Sequence, residues 1–298
     1  MRRTRIFTIV LFVIAIAAFA VSQVMQMMTD KSGPTISMDA DSITVSAEAS
    51  EKELLQGVTA QDNTDGDVSK NLMIENMSNL MDGNTRTMTI VAFDSDGNVT
   101  KAQRSVTYND YHAPQFTLDG PLQYALGADD ILDNIGATDQ LDGNLSASVK
   151  ITDKYRIPND TEGEYPLEFT VTNSAGDVAR LTATVTMLSQ SDYNSSAKIG
   201  LSQYILYLNK GQKMDSPMSY VKDIEIGDTT YTKQENGSFT AASTAAAGQT
   251  QTVLPANSVS VSGEVDNKKA GTYELTYTMQ ENKTGRTGST RLIVVVTE

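Results

Sequence analysis

Apolar and polar positions alternate along most of this chain, and the alternation is broken at intervals by Asp, Asn and Gly. Residues 87–93 (TMTIVAF) are rich in β-branched side chains, residues 94–98 (DSDGN) turn, and residues 99–108 alternate again. The same strand–turn–strand pattern recurs at 165–172, 173–177 and 178–187. Asp/Asn-Gly turns between alternating runs are strong hairpin signals. Short strands in units of under about 100 residues predict β-sandwiches. Helical periodicity is absent from this part of the chain, apart from helical turns expected at 51–56 and 128–134. The N-terminus has a different pattern. Residues 6–24 form a 19-residue apolar run interrupted only by Thr8, Ser22 and Gln23. A bilayer-spanning helix needs roughly 20 residues, so a transmembrane helix is predicted there.

The chain repeats itself. Residues 58–69 (VTAQDNTDGDVS) align with 135–146 (IGATDQLDGNLS), and residues 88–99 (MTIVAFDSDGNV) with 167–178 (LEFTVTNSAGDV). Pro34 and Pro114 open the two copies. A period near 80 residues marks domains rather than solenoid repeats, whose periods are about 20–50 residues. A third copy is diverged: residues 271–278 (GTYELTYT) match 163–170 (GEYPLEFT), but the D-x-x-D-G block is missing. In its place is a longer stretch, 223–256, with a low-complexity centre at 241–252 that reads as a loop. The predicted fold class is therefore all-β: three tandem immunoglobulin-like sandwiches after a transmembrane helix. The expected segments are a cytoplasmic tail at 1–5, the helix at 6–24, a linker at 25–33, and sandwiches at 34–109, 114–188 and 198–298. The linker at 109–113 is short and predicts semi-rigid coupling. The one at 189–197 (SQSDYNSSA) is polar and predicts a third sandwich that swings freely.

These blocks resemble a bacterial immunoglobulin-like family found as tandem modules on Gram-positive surface proteins and in some pesticidal crystal proteins. The family pattern runs from a Pro-led first strand through G-V-x-A-x-D-x-x-D-G-D, G-x-Y and D-x-x-G-N to a closing strand. The first copy has Asn84-Thr85-Arg86 where G-x-Y belongs. The second keeps all the blocks, with Asn173 to Asp177 as a variant turn. The third keeps G-x-Y and the end. The resemblance implies a non-catalytic extracellular module acting as a spacer, an adhesive unit or a carbohydrate-associated accessory.

Charge and composition narrow location and chemistry. Arg2, Arg3 and Arg5 precede the apolar run, which predicts a cytoplasmic N-terminus and an exported remainder. Cleavage after Ala20, at an A-x-A-like site, is the rival reading and would give a secreted protein. The 298 residues carry 23 Lys+Arg against 37 Asp+Glu, or −14. Setting the three N-terminal arginines aside leaves 20 basic residues and −17. That balance argues against nucleic-acid binding, which needs clustered Lys and Arg. The absence of Cys excludes disulfides, thiolate metal sites and a lipobox anchor, and fits a Gram-positive origin. Seven Asn-x-Ser/Thr sequons (Asn76, Asn98, Asn144, Asn159, Asn194, Asn236, Asn282) are expected by chance in such a composition. A single histidine, His112, leaves little room for a Ser-His-Asp triad.

Clustered oxygen donors are the main candidate chemistry. Asp62, Asp65 and Asp67, with Asp139, Asp142 and Asn144 in the second copy, have the hard-ligand character Ca²⁺ requires. Asp94, Asp96 and Asn98 are a weaker version. The competing reading is that they close turns through their own backbone, with Gly66 and Gly143 supplying positive φ. Tyr165 and Tyr273 follow Gly at strand starts and read as tyrosine corners. Tyr204, Tyr207, Tyr220 and Tyr231 are candidates for a carbohydrate platform. Ser195-x-x-Lys198 and Lys283-Thr-Gly285 lie too close together, and lack the S-D-N element, to form a penicillin-binding enzyme. The expectation is a non-enzymatic, membrane-anchored extracellular protein serving adhesion, spacing or envelope assembly, with a cell-wall, glycan or protein ligand. The alternative is a calcium-dependent or carbohydrate-binding accessory module of a secreted system.

Overall fold

A computed structural model describes residues 2–28, 30–82, 84–128, 130–152, 161–241, 252–281 and 285–298. The chain folds as two compact units, 1–111 and 112–298.

The first unit opens with a helix at Arg2–Met28. Phe7–Val24 within it is long and apolar enough to cross a membrane, and none of that window is buried. A two-sheet sandwich follows. Thr35–Met38, Val58–Asp62 and Gly66–Asp67 form one sheet. Ser42–Val45, Val99–Tyr108, Thr85–Phe93 and Met73–Met77 form the other. The entering strand is divided between them: its first half pairs antiparallel with Val58–Asp62, and its second half runs parallel to the closing strand. Period-2 patterning explains the core, since Met88, Ile90 and Ala92 alternate inward on Thr85–Phe93 and are fully buried. The helical turn expected at 51–56 is present as Glu51–Leu54. Ser50 caps Glu53 N while the Glu53 carboxylate accepts from Ser50 N, a reciprocal capping box.

The second unit holds two further sandwiches, one with sheets of three and four strands and one with sheets of five and four. In one, Gln115–Leu118, Ile135–Asp139 and Gly143–Asn144 face Gln123–Ala125, Val178–Leu188, Gly163–Thr172 and Lys150–Ile151. Gly120 and Pro121 interrupt the entering strand where it changes sheets, because Pro removes a ladder donor. The helical turn expected at 128–134 is a turn and not a helix over its described residues. In the other sandwich, Ile205–Asn209 runs parallel to Thr287–Thr297, which pairs along its length with Gly271–Gln280. The stretch that replaces the D-x-x-D-G block is a meander. Thr229–Lys233, Phe239–Ala241 and Val253–Leu254 extend the sheet of Val221–Ile226, and 242–251 lie outside the described residues.

The polar stretch at 189–197 is not the slack tether its composition predicts. Ser189 caps a helix at Gln190–Ser195, and Lys198 stacks over the Tyr193 ring. The two sandwiches it joins also bond directly. Phe116 N donates to Tyr207 Oη at 2.7 Å, and Thr184 N donates to Glu274 Oε1 at 2.6 Å. Arg291 spans both, reaching Glu164, Thr186 Oγ1 and Glu274. Ile293 of the third sandwich sits in the core cluster of the second. Polar composition correctly marked an exposed connection; it carried no information about the side chains that meet beyond it.

Candidate functional site

The repeated acidic blocks form clasps between loops. Asp62 ends the strand Val58–Asp62, and its Oδ1 accepts from Thr64 N at 2.8 Å and Asp65 N at 2.9 Å. Gly66 takes φ +74° in this turn, a conformation that favours a residue without Cβ. Asp65 reaches the neighbouring hairpin turn, accepting from Ser95 N at 2.7 Å and Ser95 Oγ at 2.9 Å. Asp67 caps Ser69 N. The second sandwich repeats each bond. Asp139 Oδ1 accepts from Leu141 N and Asp142 N, Asp142 holds Ser174 N and Oγ, and Asn144 caps Ser146 N. The calcium candidates form two sets, one in each of the first two sandwiches, and most of their oxygens are engaged within their own loops. Asp65, Asp67, Asp142 and Asn144 hold backbone and serine groups.

The two clasps differ at one position. In the second sandwich, Asn173 accepts from Ala175 N and Asp177 N through Oδ1 and donates Nδ2 to Asp139 Oδ2 at 3.1 Å. The first sandwich has Asp94 there. Its oxygens accept from Asn98 N and Asn98 Nδ2, and it has no proton to offer Asp62. Asp62 Oδ2 is buried and has no hydrogen-bond partner. A third carboxylate completes the group: Asp30, just beyond the apolar helix. Carboxylate oxygens of Asp30, Asp62 and Asp94 lie within 4.8 Å of one another. Asp30 is fixed by Ser32 N and Oγ and by Thr64 Oγ1; its own N–H donates to Asp96, and its carbonyl accepts from Asn98 Nδ2. Nothing in the sequence pattern marked Asp30, which lies outside every repeated block.

Hydrogen bonds favour the ionised forms of Asp30 and Asp94. The Ser32 and Thr64 hydroxyls, with backbone N–H groups, hold Asp30 at about 2. Asn98 lowers Asp94 from its ordinary value. Carboxyls that ionise more readily folded than unfolded contribute stability that is complete above the unfolded value near 4 and lost as pH falls toward the folded one. Without added metal, the melting temperature of the first unit is expected to hold from pH 7 to about 5 and to fall between about pH 4 and 2. A melt series over pH 2–7 checks this, and a flat profile below pH 4 would contradict it.

The tyrosine readings divide. Tyr165 Oη donates to Thr161 O and Tyr273 Oη donates to Lys269 O, each at 2.9 Å across four residues, so both act as corner ties. The first sandwich substitutes Arg86, buried, donating to Ser78 O and Met77 O. Tyr204, Tyr207, Tyr220 and Tyr231 form no platform among the described residues; Tyr220, like Tyr204, is partly buried against the core of the third sandwich. Tyr231 is core, Tyr207 accepts from Phe116 N, and Tyr204 packs against the core with its hydroxyl accepting from Leu201 N. Burial pushes Tyr207 up to about 12. A polar cleft of about 1060 Å³, lined by residues including Asp192, Ser195, Asn257, Ser260 and Arg286, flanks the helix Gln190–Ser195. Ser195 thus sits beside an open cleft, and Lys283 and Thr284 lie outside the described residues.

Residues 224–295 match the family model of the Ig-like domain of bacterial surface proteins. The match falls on the third sandwich, the copy whose motifs had diverged most from the repeated pattern. A stretch of 90 residues is 38% identical to an uncharacterized 81.3 kDa protein of Acholeplasma phage L2; it is 30% of this chain and 11% of that relative. Among solved structures, Drosophila N-cadherin EC1-3 aligns at 13% identity and TM-score 0.29, over 86% of this chain and 97% of that one. A Clostridium perfringens structure of a carbohydrate-binding module in complex with GlcNAc and INT domains aligns at 17% identity and TM-score 0.26, over 61% and 41%. A Bacteroides thetaiotaomicron lipoprotein aligns at 15% identity and TM-score 0.21, over 60% and 98%. Scores this low carry no argument about role or ligand.

Proposed function

We propose, from the premise that the third sandwich is a bacterial surface Ig-like domain, that this chain is a non-catalytic, membrane-anchored extracellular protein. Its three sandwiches would hold a contact surface away from the membrane for adhesion, spacing or envelope assembly. One observation carries the reading: the apolar helix window Phe7–Val24 has no protein packed over it. Phe7, Phe12 and Phe19 are each about two-thirds exposed, at 67%, 68% and 66%. Water is a poor solvent for that surface and a bilayer is a good one. Arg2, Arg3 and Arg5 orient it with the sandwiches outside.

Expression with a C-terminal tag in a Gram-positive host tests this. The full-length chain should stay in the membrane fraction through alkaline extraction, and protease added to protoplasts should remove the tag. A released protein beginning at Val21 would replace the anchor with a cleaved signal, and a tag protected from protease would overturn the orientation.

A further inference from the structure

We propose that the first sandwich binds one Ca²⁺ ion between Asp30, Asp62 and Asp94, and that the ion fastens the segment after the apolar helix onto the sandwich. This does not depend on the anchoring proposal.

Three observations support it. First, three carboxylates from distant parts of the chain bring oxygens within 4.8 Å of one another. Among the described residues the ion pairs lie elsewhere. Like charges held this close repel unless a cation lies among them. Second, Asp62 is only 8% exposed and its Oδ2 has no donor. A buried anionic oxygen without a partner is costly, and a metal ion satisfies it without a proton.

Third, the same fold carries its own control. In the second sandwich the equivalent oxygen, Asp139 Oδ2, takes a hydrogen bond from Asn173. The place of Asp94 is taken there by Asn173, which is uncharged. Exchange of the amide for a carboxylate at position 94 removes a donor and adds a charge, which turns a hydrogen-bonded pair into a cradle for a cation. An all-oxygen donor set with three carboxylates suits Ca²⁺, which takes 6–8 oxygens in flexible geometry; water and neighbouring oxygens would complete the shell. Mg²⁺ demands a tighter octahedron and should bind more weakly.

The test uses the full chain in detergent, stripped of metal with EDTA. Titration calorimetry with CaCl₂ should show one site per chain, with Kd of about 10⁻³ M or tighter, the range of extracellular modules. At about ten times Kd, the melting temperature of the first unit should rise by roughly 5–10 °C. Proteolysis between the helix and Pro34 should slow at least several-fold. Asp94→Asn should abolish all three effects while melting no lower than wild type in EDTA, because its new amide can donate to Asp62 Oδ2 as Asn173 does to Asp139. Asp30→Asn is the second variant and should also lose the calcium response. No heat and no shift for wild type would overturn the site, as would a wild-type calcium response retained by both variants.

Discussion

Replacing Arg291 by alanine is expected to destabilise the unit formed by 112–298 by about 1–3 kcal/mol, more than an exposed ion pair contributes and less than the loss of one partner from a fully buried one, because the guanidinium and Glu274 are only partly covered. It should also split the unit's thermal transition in two. The side chain is 16% exposed and holds three groups on two sandwiches: Glu164 at 2.5 Å, Glu274 at 3.4 Å and Thr186 Oγ1 at 2.8 Å. Glu274 also accepts from Thr184 N, so it loses one of two ties and keeps its charge at a partly covered site. Without the guanidinium the contact retains Ile293, the Phe116–Tyr207 bond and the Thr184–Glu274 bond. Differential scanning calorimetry reads both effects. Glu164→Gln is the comparison: that carboxylate is 60% exposed, and an exposed ion pair contributes roughly 0–1 kcal/mol. A single undivided transition in Arg291→Ala, shifted no further than in Glu164→Gln, would show that the two sandwiches are held together by other contacts.

A second large effect is expected at Gly288, at the start of the closing strand Thr287–Thr297. A Cβ there would lie 1.9 Å from Ala197 O and 2.7 Å from its carbonyl carbon. Ala197 N donates to Thr287 O at 3.0 Å, so the two backbones are already hydrogen-bonded at this crossing. Side chains can rotate away from an added methyl, but a backbone carbonyl can move only if the strand moves. Gly288→Ala should therefore cost about 3 kcal/mol, the upper end of overpacking penalties. That is a large part of the 5–15 kcal/mol typical of a domain. Chemical denaturation midpoints measure it, with Thr287→Ala as an exposed neighbour expected to stay within about 0.5 kcal/mol of wild type. Equal midpoints for the two variants would mean that the entering and closing strands separate at little cost.

The strands and their hairpins were legible because period-2 alternation and Asp/Asn-Gly turns are local properties. Met88, Ile90 and Ala92 announce a buried face by spacing alone. The corner tyrosines were legible for a related reason: a hydroxyl reaching a carbonyl four residues back needs only neighbouring chain. Side chains that act across the fold were not legible. Asp65 and Ser95 are 30 residues apart, and nothing in either loop names the other. Asp30 is further still from its partners and belongs to no repeat. The repeats were aligned by their similarities, whereas the informative position, Asp94 against Asn173, is a difference whose meaning appears only when Asp62 and Asp139 are placed beside it. The apparent tether at 189–197 misled because polar composition describes what faces water; Arg291 and Glu164, which couple the sandwiches, lie far from it in sequence.

In each sandwich the second half of the entering strand runs parallel to the closing strand, as Ser42–Val45 beside Val99–Tyr108, Gln123–Ala125 beside Val178–Leu188 and Ile205–Asn209 beside Thr287–Thr297. When a sandwich is pulled apart by its two ends, these neighbouring strands are drawn in opposite directions along their own axes. Their inter-strand bonds are then loaded together in shear, whereas an antiparallel terminal pair could be peeled open one bond at a time. An array of this kind resists tension through the geometry of its terminal strands, and it has no disulfide to share that load.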